Sequence, residues 1–255
     1  VLDSLGVGEA SDANKFDDLG CNTLGHINEQ RNLFIPNLEK LGFLDTLKLS
    51  NKKDVEAYYT VASTTNPGKD TLNGHYEMMG IKINEPYKTF YKNGFPKELI
   101  DEIERQTRRK VIGNVAASGT EIIQELGEQS IMEGSLIVYT SNDSVLQVAA
   151  HEKIIPLDML YKYCEIIRKI TTDPKWKVGR VIARPFVGRR KGEFKRTTAR
   201  KDFSLKPPHK CVLDYLKESN LSVISIGKIY DIFDGEGITK KISSGTNREG
   251  IDKIL

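Results

Sequence analysis

The sequence predicts an α/β protein, and three observations carry that reading. Strand-like runs rich in β-branched and aromatic residues at 135–140, 178–186 and 221–226 alternate with helical apolar spacing near 96–110, 118–126, 157–167 and 212–216. The runs end in turns of glycine, asparagine, aspartate and serine, the layout of an open sheet whose ligands gather at the carboxyl ends of its strands. With 38% hydrophobic and 29% charged residues in 255, the chain has the composition of a soluble globular protein and length enough for a sizeable core.

Composition closes several classes of function. No apolar run approaches the roughly 20 residues that span a bilayer, and no signal peptide opens the chain, so no membrane role is expected. Cys21, Cys164 and Cys211 are odd in number, scattered and without CxxC spacing. They read as thiols of a reducing cytoplasm, neither a disulfide framework nor a zinc site. The net charge is +3, yet Arg189, Arg190, Lys191, Lys195, Arg196, Arg200 and Lys201 crowd one stretch. Such a run suits a phosphorylated small molecule or a solvated loop. Nucleic acid is not the expected partner, because no helix-turn-helix, RNP or zinc-finger pattern accompanies the charge.

In chain order, Val1-Leu2 run into Asp3-Ser4-Leu5-Gly6 as though the chain begins inside a β-strand. Asp3, at the strand's end, is a candidate metal ligand or a turn-forming, helix-capping aspartate. Residues 20–27 form a second polar turn, in which His26 reads as hydrogen-bonded structure. Leu38, Leu41, Leu44 and Leu47 suggest helical or mixed packing interrupted by Gly42.

Residues 68–77 (Gly-Lys-Asp-Thr-Leu-Asn-Gly-His-Tyr-Glu) hold two glycines, a lysine, two carboxylates, a hydroxyl and a histidine directly after Asn66-Pro67. This suits a reactive loop with Thr71 as nucleophile, since a hydroxyl attacks at neutral pH only when a base or metal stabilises its alkoxide. The same spacing also suits an ordinary turn.

Pro96 opens a helix with Leu99, Ile100 and Ile103 on one face, acidic residues early and basic residues late, as the helix dipole favours. Ser118-Gly119-Thr120-Glu121 reads as a capping box before Ile122, Ile123 and Leu126. The strand at 135–140 ends at the polar turn 141–144, and the helix after it places Cys164 in a core. In the strand at 178–186, Arg180, Ile182 and Arg184 share one face and Val181 and Ala183 the other. Arginine beside an apolar residue suits a phosphate held against an apolar floor; an edge strand with solvent-facing arginines fits equally. After Pro207-Pro208, a helix with Val212, Leu213 and Leu216 precedes the strand at 221–226, whose end presents Lys228.

Val1-Leu2-Asp3-Ser4-Leu5-Gly6, Asn22-Thr23-Leu24-Gly25-His26-Ile27, Gly68-Lys69-Asp70-Thr71 with Gly74-His75-Tyr76-Glu77, Ile182-Ala183-Arg184-Pro185-Phe186-Val187-Gly188, and Asp202-Phe203-Ser204 with Pro207-Pro208 resemble, in that order, signature segments of the bacterial phosphopentomutases. That family belongs to the alkaline phosphatase superfamily, alongside the cofactor-independent phosphoglycerate mutases. The resemblance runs the length of this chain and covers part of the family's chain.

The resemblance implies an alkaline-phosphatase-like α/β core sheet with an inserted, smaller α/β cap domain: core at 1–92, cap at 93–204, core again at 205–255. It implies interconversion of ribose 1-phosphate and ribose 5-phosphate, and of the deoxyribose analogues, in nucleoside salvage. Two divalent cations, Mn2+ foremost with Mg2+ or Co2+ as alternatives, would neutralise the transferring phosphoryl group. Asp3 matches a metal ligand, and Thr71 matches the metal-bound threonine that carries the phosphoryl group. Ser141, Asp143, Ser144 and Val145 match the cap loop facing the sugar, Arg180 and Ile182 the strand face holding phosphate and ribose, and Lys228 a further phosphate contact.

Two departures stand out. Asn73 occupies a position where the family often has threonine, which leaves Thr71 untouched. The family's remaining metal-ligand segments, with Asp-Phe-Asp, Ala-Asp-His-Gly and Asp-His-Thr-Arg patterns, are not in the chain. Asp3 and Thr71 alone cannot hold two cations. The 255-residue chain by itself is therefore expected to be inactive or nearly so, and mutase turnover by the purified chain would contradict this. A phosphoglycerate-mutase-type transferase and a non-catalytic sugar-phosphate-binding fragment are the competing expectations.

Overall fold

The structure, a computed structural model, describes residues 2, 5–47 and 55–255. Asp3 lies outside them. The chain divides into two compact units, residues 1–67 and 68–255. In the first, short 3-10 turns at Ala13–Lys15 and Phe43–Leu47 flank helices α1 (Thr23–Gln30) and α2 (Pro36–Lys40). Asn22 caps α1: its side-chain oxygen accepts from the backbone N–H groups of both Gly8 and Gly25 at 3.1 Å.

The second unit holds α3 (Thr71–Met78), α4 (Lys97–Thr107), β1 (Val111–Ala116), α5 (Gly119–Glu133), β2 (Leu136–Thr140), β3 (Val145–His151), α6 (Leu157–Ile170), β4 (Arg180–Val187), β5 (Lys195–Arg196), β6 (Lys201–Ser204), α7 (Val212–Glu218), β7 (Ile224–Ile226), α8 (Ile229–Ile232), β8 (Lys240–Ile242) and α9 (Asn247–Ile254). The α/β expectation thus holds at the level of class. The main sheet is mixed. Its order is β1-β2-β3-β4-β5, with β6 also on β4. Strands β1 and β2 are parallel, as are β3 and β4, while β2–β3, β4–β5 and β4–β6 are antiparallel. Strands β7 and β8 form a separate parallel pair.

Both faces of the main sheet are covered. On one, Leu99 and Ile103 of α4 and Leu160, Cys164 and Ile167 of α6 pack on Val138, Val148, Val181 and Ala183. Cys164 is fully buried there, and burial holds its thiol far above its ordinary value. On the other, Ile122 and Ile123 of α5 pack on Ile137, Tyr139, Ala149 and Phe186. A third core joins Leu72 and Tyr76 of α3 to Ile81, Val223, Ile232 and Phe233, so segments on both sides of the main sheet in sequence meet around α3.

Several expectations are corrected in detail. The capping box at Ser118 does not form, because the Ser118 hydroxyl hydrogen-bonds the Thr120 hydroxyl at 2.9 Å instead of a backbone N–H. Helix α4 ends sooner than its basic run suggests, at a left-handed Arg108. The arginine-bearing strand starts at Arg180 and is not an edge strand. It is paired with β3 on one side and with β5 and β6 on the other. Arg180 is accordingly 4% exposed. Among the described residues no helix is long and apolar enough to cross a membrane.

Candidate functional site

The expected reactive loop at 68–77 is a helix from Thr71 onward, and the reason is local. Gly68 takes a φ of +99°, which turns the chain into an extended Asp70, and the Asp70 carboxylate caps α3 by accepting from the Leu72 N–H at 2.9 Å. Leu72 and Tyr76, one turn apart and fully buried, anchor the helix, and the Tyr76 hydroxyl donates to the Leu205 carbonyl at 2.6 Å. Thr71 is thereby fixed in the first turn, where helix N–H groups favour negative charge.

Around Thr71 stand two nitrogen groups. His75 Nδ1, one turn on, lies 2.8 Å from the Thr71 carbonyl oxygen and 3.2 Å from Thr71 Oγ1. The shorter contact requires Nδ1 to carry the proton, which makes His75 a donor toward Thr71 and not its base in this arrangement. Lys228, placed at the start of α8 by the turn at Gly227, brings Nζ to 3.5 Å from Thr71 Oγ1. Both neighbours favour an oxyanion on Thr71.

Behind the helix cap lies a buried chain of alternating charge. Arg180 donates to Asp70 through Nε at 3.2 Å and Nη2 at 3.1 Å, and to Asp202 through Nη1 at 3.1 Å. Arg200 completes it from the surface, reaching Asp202 at 2.7 and 2.8 Å with its own side chain 39% exposed. Burial works against the Arg180 cation, but Asp70 and Asp202 outweigh it and hold the guanidinium above its ordinary value. For Asp70 burial is the stronger influence and raises its carboxyl, with Arg180 opposing. For Asp202 burial is outweighed by Arg200 and Arg180, so its carboxyl sits below its ordinary 3.8.

The linkage follows from those signs. Asp202, lowered, contributes stability that is complete above its unfolded value and is lost as pH falls through its folded one. Asp70, raised, contributes in the opposite sense: its stability is present at low pH and is lost as pH rises through its folded value. An Asp202→Asn variant is therefore expected to lose less melting temperature than the wild type on acidification below about pH 4. Melting curves across that range check it; equal acid sensitivity of the two proteins would contradict it.

The expected sugar-facing loop adjoins this network. The Ser144 N–H donates to the Lys69 carbonyl at 3.1 Å, and its hydroxyl donates to the Lys88 carbonyl at 2.5 Å and accepts from the Gly179 N–H at 3.0 Å. Gly179 admits this packing, since an added Cβ would press on the Asp70 carboxylate at 3.2 Å. Asp143 Oδ2 lies 3.9 Å from Arg180 Nη2, and Val145 pairs with Arg180 in the sheet. Ser141 and Asp143 line a cavity of about 460 Å³ with Lys69 and Ala116. The structure thus gathers the 69–71 loop, the 141–145 loop, Arg180 and Lys228. Ile182 is buried two residues along the face of β4 that bears Arg180, opposite Gln147 and Asp202.

Sequence reasoning gave no role to Asp70, Asp202 or Arg200. Asp70 sat inside the motif with a capping signal, whereas Asp202 is visible only once β6 is laid against β4. Two cations need several carboxylate or imidazole ligands in fixed geometry. Among the described residues no group of three or more His, Cys, Asp or Glu could hold a metal ion. Asp70, the nearest carboxylate in sequence to Thr71, is committed to Arg180 and the Leu72 N–H. The described residues therefore do not by themselves fit a two-cation site. No family model matches the chain.

Proposed function

We propose that this chain carries the phosphoryl-accepting and sugar-phosphate-binding residues of a phosphopentomutase, interconverting ribose or deoxyribose 1-phosphate and 5-phosphate. The observation that carries the reading is the setting of Thr71: a hydroxyl in the first turn of α3, 3.5 Å from the Lys228 amine and beside a buried arginine–aspartate pair. In the transfer from a 1,5-bisphosphate, a bond forms between Thr71 Oγ1 and phosphorus as the bond from phosphorus to the sugar oxygen breaks. The Thr71 proton leaves, and the released sugar hydroxyl gains one. The reverse transfer to the other sugar hydroxyl completes the exchange. Lys228 and the His75 N–H stabilise charge on the threonine oxygen, Ser141 and Asp143 bound the space for the sugar, and the buried Ser144 and Val145 hold that loop in place. Asp3 and the Mn2+ pair belong to the resemblance. Sustained turnover by residues 1–255 alone is not expected, which is a separate matter from whether Thr71 is the accepting group.

Isothermal titration with ribose 5-phosphate and, separately, 3-phosphoglycerate tests the reading. Binding of the sugar phosphate in preference to the glycerate is expected. Lys228→Met is expected to weaken it about 10–100-fold, the effect of losing one charge-assisted hydrogen bond. Preference for phosphoglycerate, or indifference to Lys228→Met, would overturn it.

A further inference from the structure

The basic run at 189–201 does not form one patch. Arg190 is paired with Glu193, and Lys201 lies over the rings of Tyr161 and Phe203 at 5.2 and 4.6 Å. Lys195, Arg196 and Arg200, the last also bonded to Asp202 at 2.7 and 2.8 Å, converge with Arg184 of β4 on a cavity of about 570 Å³ that Thr120 and Ser244 also line. Its volume is that of a small-molecule site. Among the described residues no carboxylate side chain lines it, and none of Arg184, Lys195 or Arg196 makes an ion pair there. Arg184 is half-buried with Gln147 Oε1 as its hydrogen-bond acceptor at 3.1 Å. Burial, together with Arg200 and Arg196, pushes its guanidinium down to about 10. A cation without an ion-pair partner, beside other cations in a partly desolvated hole, gains from an anion.

Two further features lie by its wall, one of them buried behind it. Helix α5 begins at the cavity wall, and no side chain caps its first turn. The buried Tyr139 hydroxyl has no hydrogen-bond partner among the described residues. It lies against Gly119, the first residue of α5, where an added Cβ would collide with it and come within 3.3 Å of Arg196 Nη1. Helix N–H groups and several cations around one concavity have a single common complement, an oxyanion.

We infer that this cavity binds a phosphorylated small molecule, its phosphate held by Arg184, Arg196 and Arg200 at the start of α5 and its hydroxyl-bearing body facing Thr120 and Ser244. The site is distinct from the one at Thr71. Arg184 lies four residues beyond Arg180 on the same face of β4, a strand rise of about 13 Å. A polymeric nucleic acid fits less well, because the run's charges split between this hole, an ion pair and the ring faces of Tyr161 and Phe203.

The test is calorimetric titration of the 255-residue chain with inorganic pyrophosphate. Wild-type binding is expected, with at least tenfold weakening in Arg184→Gln and in Arg196→Ala. The second variant sits on an exposed two-residue strand and keeps the fold if the first does not. Thr71→Ala is expected to bind pyrophosphate like the wild type, so this inference and the proposed function fail separately. No binding by the wild type would overturn it. So would loss of binding in Thr71→Ala with retention in both arginine variants, or displacement of pyrophosphate by a lower concentration of single-stranded oligonucleotide.

Discussion

Arg180→Leu is expected to destabilise the fold by about 3–5 kcal/mol, because it removes the one cation shared by two buried carboxylates. The side chains of Arg180, Asp70 and Asp202 are 5%, 0% and 5% exposed. Without the guanidinium, Asp70 keeps only the Leu72 N–H among its hydrogen bonds here, whereas Asp202 keeps Arg200. Most of the loss therefore falls on Asp70, and with it on the cap that starts α3. At about 2–4 °C per kcal/mol for a domain of this size, the melting temperature should drop by about 6–20 °C. Adding Asp70→Asn to Arg180→Leu should return part of the loss, since a neutral amide is cheaper to bury than an unpaired charge. A drop of less than about 2 °C would mean that the pair is solvated in solution and does not fix the helix.

Thr71→Ala is expected to abolish phosphate uptake by the chain supplemented with the family's remaining metal-ligand segments, while leaving the melting temperature nearly unchanged. The hydroxyl is the only atom of the reaction that the side chain supplies, and the helix is held by Leu72, Tyr76 and the Asp70 cap. Thr71→Ser keeps the oxygen and should retain uptake within about tenfold, the difference being the rotamer restriction that the methyl group imposes. Loss in both variants, or in neither, would remove Thr71 from the reaction.

The legible parts of the fold were those written in short-range pattern. The alternation Arg180, Val181, Ile182, Ala183, Arg184 assigned the two faces of β4 correctly, and helical spacing placed Cys164 in the core. Strand β3 went unread because all seven of its residues are buried, so Val-Leu-Gln-Val-Ala-Ala-His shows no alternation. Strand β1, with a left-handed Gly113 and Asn114 and a register shift between Gly113 and Val115, carries turn signals inside a strand. The capping box at Ser118 failed because a hydroxyl two residues on competed for the serine.

At the candidate site, Asp70 and Arg180 are 110 residues apart and Thr71 and Lys228 157 apart. No local period reports such pairs. The sequence alone put Thr71 in a polar loop, Arg180 on a strand face and Lys228 at a strand's end, where open sheets place their ligands, but could not pair them.

The most direct measurement is intact-mass spectrometry with phosphosite mapping, on the chain incubated with Mn2+ and ribose 1,5-bisphosphate. No phosphate on the chain alone, and one phosphate on Thr71 once a polypeptide carrying the family's remaining metal-ligand segments is supplied, absent from Thr71→Ala, is the expected result. Phosphate on another residue, or uptake that persists in Thr71→Ala, would contradict the assignment of this hydroxyl as the phosphoryl acceptor.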